Sequence, residues 1–378
     1  MSEITRLMLL VVRVGVDLAK NLIQVHAVDA AGRRVVARAF KRDQFFAWCE
    51  QLPAGCLVAM EACSSAHYWA RRLRAMGLDA RLIAANFVTP YRMEGKSGKN
   101  DATDAAAICE AASRPSMRFV PVKTPEQQGI MSLHRIREGF KEERTACINR
   151  IRGVLAEFGL VFGKSPKALR TELADVLEDA SNELSGTARL VVQEAFVHWR
   201  ELDDKLLWCD QQIGRHVRSS PEARQAAKIT GIGELTASAM TASVGDFTQF
   251  NSGAQLGAWL GLVPSQNSSG GKTSLGRITK RGDDYLRTLL IQGAKSALMS
   301  AHKRDDPNSK WLAQLKDRVG WQKACVAMAN KNARILWAVM TREVTYDPRH
   351  VSVKPQCKVP LDKRADTAST TTTAPCPA

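Results

Sequence analysis

Two aspartates three residues apart, Asp101 and Asp104, stand in the stretch Lys99-Asn100-Asp101-Ala102-Thr103-Asp104-Ala105-Ala106. A charged, Gly-containing segment from Glu94 to Lys99 runs into Ala-rich sequence at that point. Ala is the best helix former and Asn or Asp a good cap, so a helix is predicted to begin here. Positions i and i+3 share a helix face, and the N-terminal end of a helix tolerates anions. Two carboxylates on one face nevertheless repel unless a cation or a proton lies between them. A capped, acidic first turn would explain the pair by itself. Two further acids upstream, Asp17 and Glu61, each follow an apolar run and point to more than a cap. Four such carboxylates brought together would hold two divalent ions about 3.5–4 Å apart, one activating an attacking oxygen and one stabilising the leaving oxygen. Mg²⁺ prefers carboxylate oxygens and also binds phosphate. Mn²⁺ takes the same hard donors.

A second candidate lies far downstream. Gly261-Leu262-Val263-Pro264-Ser265-Gln266-Asn267-Ser268-Ser269-Gly270-Gly271-Lys272 is followed by Gly276-Arg277-Ile278-Thr279-Lys280-Arg281-Gly282-Asp283. Flexible, hydroxyl-rich and basic, it is predicted to be a surface loop for phosphate contacts. A Ser with basic neighbours becomes a nucleophile towards phosphorus if its proton is removed and the developing charge stabilised. A plain linker has the same composition.

The acids need elements to position them. Met8 to Asp17 reads as a first strand, Leu22 to Asp29 as a second and Arg34 to Phe40 as a third, with tight turns between them. A helix is predicted from Arg42 to Leu52, a buried strand Cys56–Met60 ending at Glu61, a helix Ser65 to Met76, a strand Ala80 to Ala84, a short helix or turn Asn86 to Arg92, and then the Asp101 helix. The order βββαβαβα is that of the ribonuclease H-like fold. Asp17 and Glu61 then sit near neighbouring strand ends with the Asp101 helix across them. The sugar-kinase and actin-like ATPases open in a similar way but need Gly-rich phosphate loops. The turn after Asp17 reads Leu18-Ala19-Lys20-Asn21 and has no Gly, which disfavours ATPase chemistry.

Beyond the α/β part, apolar residues from Thr124 to about Leu160 recur at threes and fours (Ile130, Leu133, Ile136, Phe140, Ile148, Ile151, Leu155, Phe158). Arg135, Arg137, Lys141, Arg144, Arg150 and Arg152 occupy the other faces, making a long amphipathic helix with a basic side. Leu190 to Ile213 repeats the spacing, so a helical hairpin or coiled coil is predicted, broken near Gly159 to Pro166. It could act as a spacer or as a dimerisation element with its basic face on a phosphate backbone. Ile229-Thr230-Gly231-Ile232-Gly233-Glu234 resembles a helix-hairpin-helix turn, in which Gly231 and Gly233 would let backbone N–H groups approach a phosphate. Helices are predicted from Asp284 to about Ser300 and from Lys323 to Glu343, and a disordered Lys-, Thr-, Ala- and Pro-rich tail thereafter.

Composition agrees with a polyanion partner. The chain has 378 residues, 54 Lys and Arg against 38 Asp and Glu, a net charge of +16 and a pI of about 9.6. Its nine Cys include no CxxC pair, so they read as thiols in a reducing compartment and not as zinc ligands. The apolar run Leu7 to Val12 is too short to span a bilayer and no cleavage site follows it, so a cytoplasmic protein without a membrane partner is expected.

Val14-Gly15-Val16-Asp17-Leu18-Ala19-Lys20, Met60-Glu61-Ala62, Lys99-Asn100-Asp101-Ala102-Thr103-Asp104-Ala105, Gly261-Leu262-Val263-Pro264, Ser268-Ser269-Gly270-Gly271-Lys272 and Lys280-Arg281-Gly282 together resemble the DEDD-type insertion-sequence transposases. This is the "one-ten" family, to which pilin-inversion recombinases are related. The resemblance runs from about residue 12 to about residue 345. It implies a RuvC-like catalytic domain (8–123), a helical coiled-coil region (124–220), a C-terminal transposase domain with the serine loop (221–346) and a tail (347–378). The DEDD acids carry over to Asp17, Glu61, Asp101 and Asp104. The family's serine precedes a Gly and carries over to Ser269, with Ser268 adjacent. Partners implied are element-junction and target DNA, an element-encoded guide RNA and a second copy of the chain in a dimer or tetramer. On this reading Lys272, Arg277, Lys280 and Arg281 hold phosphates. Two rivals remain: a Holliday-junction-type nuclease in which the acids activate water, and a nucleic-acid-binding protein without catalysis.

Overall fold

The computed structural model describes residues 8–92, 100–342 and 344–350. The predicted disorder of the tail falls on residues outside these from position 351 onward, as does the segment before Asn100.

The N-terminal part is a mixed α/β domain around one sheet of six strands. They are β1 (Arg13–Leu18), β2 (Leu22–Val28), β3 (Arg34–Lys41), β4 (Leu57–Glu61), β5 (Asp79–Ile83) and β6 (Phe119–Val120), in the spatial order β3-β2-β1-β4-β5-β6. β1, β2 and β3 form an antiparallel meander, β4 and β5 run parallel to β1, and β6 closes the edge antiparallel to β5. Two helices, α1 (Arg42–Cys49) and α2 (Ala66–Ala75), cover one face. A short helix α3 (Ala85–Val88) and then α4 (Asp101–Ala111) lie on the other.

Strand alternation sorts the residues between these faces. Val14, Val16, Val58 and Met60 are fully buried under α1 and α2, with Phe45, Trp48, Trp69 and Leu73. Gly15, Asp17, Ala59 and Glu61 therefore face α4. In both β1 and β4 a small residue stands two places before the acid. The small residue lets α4 sit close, and the acid then emerges at the strand end beside it.

The remainder is mostly helical. α5 (Pro125–Ala156) and α7 (Gly186–Ser219) are long and antiparallel, with α6 (Pro166–Glu178) packed beside them. Arg137 pairs with Asp210 at 2.6 Å, and nearer the tip both Arg144 and Arg170 pair with Asp203. Trp199, Ile151, Leu155, Leu169 and Leu173 make the core of this unit. α6 follows the break near Gly159 to Pro166, with Ser165 capping it and Pro166 opening it. The C-terminal part packs α8 (Pro221–Ala227), α9 (Glu234–Val244), α10 (Gly253–Trp259), α11 (Asp284–Ser300), α12 (Pro307–Val319) and α13 (Trp321–Arg342) around a second large core.

A chain of polar groups joins α5 and α7 to that C-terminal core. His134 Nδ1 lies 2.9 Å from Tyr285 Oη and His134 Nε2 lies 2.9 Å from Ser238 Oγ, which is also 2.9 Å from His216 Nδ1. One consistent direction has the Tyr285 hydroxyl donating to His134, His134 to Ser238, and Ser238 to His216. Burial, helped by Arg137 and His216, holds His134 down to about 4. The folded histidine thus stays neutral where an unfolded one, near 6.5, takes up a proton. Its contribution is complete above about pH 6.5 and is lost as pH falls toward about 4, on the order of 3 kcal/mol at most. Thermal melts at about pH 7.5 and about pH 5 should show a larger drop for wild type than for His134→Asn. Equal drops would remove His134 as the titrating group.

Candidate active site

Asp17, the last residue but one of β1, lies beside Glu61 because Val16 pairs with Met60 in parallel register. α4 begins at Asp101, where the Asn100 side chain accepts the Ala102 N–H at 2.9 Å. The helix sits on Gly15: a Cβ there would lie 2.2 Å from Ala105 O and 2.4 Å from Cys109 N. Such contact is possible only for glycine. Asp104, next to Ala105, and Asp101, one turn earlier, lie near enough to act on Asp17 near the end of β1. Asp104 is buried and Asp101 exposed.

The four acids act on one another. Asp17 is raised above the usual carboxylate range, first by burial and then by the charges of Asp101, Asp104 and Glu61, with Arg92 opposing. Cys63, just beyond β4, is raised by burial and by Glu61 and Asp17, so its thiolate is disfavoured. Arg92 follows the short helical turn Thr89–Tyr91 and lies between two of the acids. Its Nη2 is 2.9 Å from Glu61 Oε2 and its Nε 2.8 Å from Asp104 Oδ1. No motif pointed to Arg92 in the sequence.

The donor set consists of carboxylate oxygens and carries more negative charge than Arg92 offsets, which suits a hard divalent cation. Among the described residues, no three Asp, Glu, His or Cys side chains yet converge at ligand spacing, and Arg92 stands between Glu61 and Asp104.

The predicted serine loop is instead a β-hairpin, β7 (Pro264–Ser269) and β8 (Lys272–Ile278), turning at Gly270-Gly271. Its sequence hides this because nearly every side chain is polar and exposed. The ladder and the hairpin base hold it. Thr279 N–H donates to Val263 O at 2.9 Å and Lys280 N–H to Gly261 O at 3.1 Å. Buried Arg287 donates to Leu260 O and Gly282 O, at 3.2 and 3.1 Å. A Cβ on Gly282 would lie 2.1 Å from Trp259 O, so the two Gly-containing motifs of this region clasp each other. Ser268 Oγ accepts a bond from Gln266 Nε2 at 2.7 Å, whereas Ser269, exposed, makes no side-chain hydrogen bond among the described residues. Lys272, Arg277, Lys280 and Arg281 are all exposed on or beside the hairpin. Among the described residues, no hydrogen bond or ion pair connects the hairpin to the acid cluster. The four acids thus group at the ends of β1 and β4 and the start of α4, and among the described residues the Ser269 side chain is bonded to none of them.

The helix-hairpin-helix-like turn joins α8 to α9. Gly231 has φ +86° and packs inward, where a Cβ would meet Asn332 Nδ2 at 3.0 Å and Gly293 O at 3.1 Å. Gly233 is exposed at the N-terminus of α9. No helix of the described residues is long and apolar enough to cross a membrane.

Comparison with known proteins places these features. A DEDD-type IS110 family model, described as a transposase, matches residues 14–159, which include all four acids. A second model, described as the transposase IS116/IS110/IS902 family, matches residues 223–309, which include the hairpin. A Pseudomonas aeruginosa protein named "Probable family 20 transposase" is 47% identical over 89% of this chain and 98% of its own length. The transposase for insertion sequence element IS1111A of Coxiella burnetii is 42% identical over 88% of this chain and 90% of its own. The transposase for IS1328 of Yersinia enterocolitica is 34% identical over 88% and 98%. With the acid-bearing sheet and the clasped hairpin each matched in chain order, and such identity over almost the full length of the relatives, this chain belongs to the IS110 family of insertion-sequence transposases.

Proposed function

We propose that this transposase cuts and rejoins DNA at the ends of its insertion sequence, using Asp17, Glu61, Asp101 and Asp104 to hold divalent metal and Ser269 as the nucleophile. The observation that carries the proposal is the grouping of four acids around the ends of β1 and β4 and the start of α4, near enough that the charges of the other three help raise Asp17. Mg²⁺ bound there, as two ions or replaced by Mn²⁺, would lower the cost of charge on the attacking and leaving oxygens. Ser269 is the better nucleophile of the serine pair because Ser268 is occupied by Gln266. Its Oγ–phosphorus bond forms as the phosphorus bond to a phosphoester oxygen of the strand breaks; the serine proton is lost to solvent and the leaving oxygen takes one up from it. Lys272, Arg277, Lys280 and Arg281 lie where they would hold the flanking phosphates. Gly233 would offer backbone N–H groups to a phosphate, while Gly231 allows the turn to seat on Gly293.

With no bond joining the hairpin to the acids among the described residues, the complete site is proposed to form between copies of the chain, in a dimer or tetramer. Exposed Leu190, Val191, Leu207 and Trp208 on α7 support self-association. The net charge of +16 suits DNA and an element-encoded guide RNA alike. With a guide, base pairing would read sequence and the protein would read backbone and shape. RNA copurifying with the protein checks that part.

The decisive experiment mixes protein, guide RNA and end-labelled junction DNA with Mg²⁺ and runs a denaturing protein gel. Label should travel with wild-type protein and be absent from Ser269→Ala, a loss of at least ~10³-fold in adduct. The lack of any bond between Ser269 and the acids among the described residues favours a second reading, in which the acids activate water. Cleaved DNA without attached protein, unchanged in Ser269→Ala, would establish that reading.

A further inference from the structure

We propose that Arg92 is a resident counter-cation of the acid cluster, and that a divalent ion loads the site by displacing it. The inference rests on the reading of the four acids as a metal site. Arg92 spans acids from two different elements, Glu61 at the end of β4 and Asp104 in the first turn of α4. These are side chains that a bound ion would need to draw together. Oxygens engaged with a guanidinium cannot also close on a metal, and two cations in so small a space repel. The guanidinium therefore has to move for an ion to enter.

Arg92 donates a hydrogen bond to Glu61 but holds Asp104 less firmly. Arg92 Nε is buried and 2.8 Å from Asp104 Oδ1, yet its N–H has no hydrogen-bond acceptor in line. The contact with Asp104 is therefore one of charge more than of alignment. The Arg92 side chain is 31% exposed, so it has a path to solvent. Its backbone is anchored by donation to Thr89 O at 3.1 Å, which leaves the side chain as the part that swings.

Two consequences follow from exchange. The apparent metal affinity is lowered by the fraction of sites in which Arg92 is in place. A released guanidinium also suits a phosphate, which it can grip with two parallel N–H groups. DNA offers such a partner, so DNA and metal should each strengthen the binding of the other. The acids would then stay closed and compensated until substrate arrives.

The test titrates Mn²⁺ into full-length wild type, Arg92→Gln, Arg92→Lys and Asp104→Asn, reading free Mn²⁺ by electron paramagnetic resonance. Arg92→Gln should bind Mn²⁺ about tenfold more tightly than wild type. It should also melt below wild type in chelator and regain the difference in saturating Mn²⁺, because metal then supplies the missing positive charge. Arg92→Lys, whose single ammonium cannot fork between both acids, should bind a few-fold more tightly than wild type. It carries the test if the glutamine variant does not fold. Equal or weaker Mn²⁺ binding in the folded variants, with Asp104→Asn still impaired, would overturn the role of Arg92 alone. No Mn²⁺ binding by any of the four proteins would overturn the metal-site reading beneath it.

Discussion

Asp17→Asn is expected to abolish strand cleavage while raising the melting temperature of the metal-free protein. The two effects have one cause. Asp17 is half-buried among Asp101, Asp104 and Glu61, and each of these charges makes its ionised form more costly. Asparagine keeps the shape, removes the charge and relieves that repulsion. It also removes a donor the cluster needs for a divalent ion. The activity loss should exceed the ~10–100-fold typical of losing an outer-sphere partner, since Asp17 is proposed to touch the metal itself. The stability gain has a predictable pH dependence. An acid raised in the folded state binds its proton more tightly there than when unfolded, so its cost is present at neutral pH and fades as pH falls through its folded value. Melts in chelator should therefore show the variant above wild type near neutrality, with the gap narrowing on acidification. A variant that cleaves at the wild-type rate would remove Asp17 from the site, and one that melts lower would remove the repulsion argument.

Gly15→Ala is expected to damage activity almost as severely, from a residue with no chemistry of its own. Its Cβ would press against Ala105 O at 2.2 Å and Cys109 N at 2.4 Å, both backbone atoms of α4. Neither can rotate away, so the helix must lift or the strand must yield. Such overpacking typically costs about 1–3 kcal/mol. The catalytic cost should be larger than the stability loss suggests, because Asp101 and Asp104 ride on the displaced turn. A misplacement of about 1 Å in a catalytic group can cost ~10²-fold in rate. Circular dichroism and melting, set beside cleavage rates, separate the two effects: a folded Gly15→Ala with much-reduced cleavage is the expected result. Gly153→Ala is the control. It is an exposed position inside α5 with nothing near its Cβ, and should be neutral or stabilising by up to ~1 kcal/mol. Full activity in Gly15→Ala would mean that α4 does not need close seating to place its acids.

The strand and helix positions of the four acids were legible in the sequence because their signals are local. Period-two alternation in Val14-Gly15-Val16-Asp17 and again through Val58 to Glu61 places small residue and acid on one strand face, and the Asn100 cap starts the helix that meets them. The 3.6-residue periods of α5 and α7 are equally strong over their 32 and 34 residues. Weaker local signals failed. β6 is two residues long and exists through its pairing with β5. The hairpin carries polar side chains on both faces, so no hydrophobic period betrays strands that the backbone ladder and the Gly261–Gly282 clasp maintain. Arg92 meets Glu61 from 31 positions away, and His134 meets Ser238 and Tyr285 from 104 and 151. The sequence by itself determined which acids share a face, because strand and helix periods are set by bonded geometry. Only the tertiary structure decided that Arg92 bridges two of them, that the serine stands on a braced hairpin, and that histidines bind the helical arm to the C-terminal core. Those are pairings between distant segments, fixed by packing and charge once the chain has closed on itself.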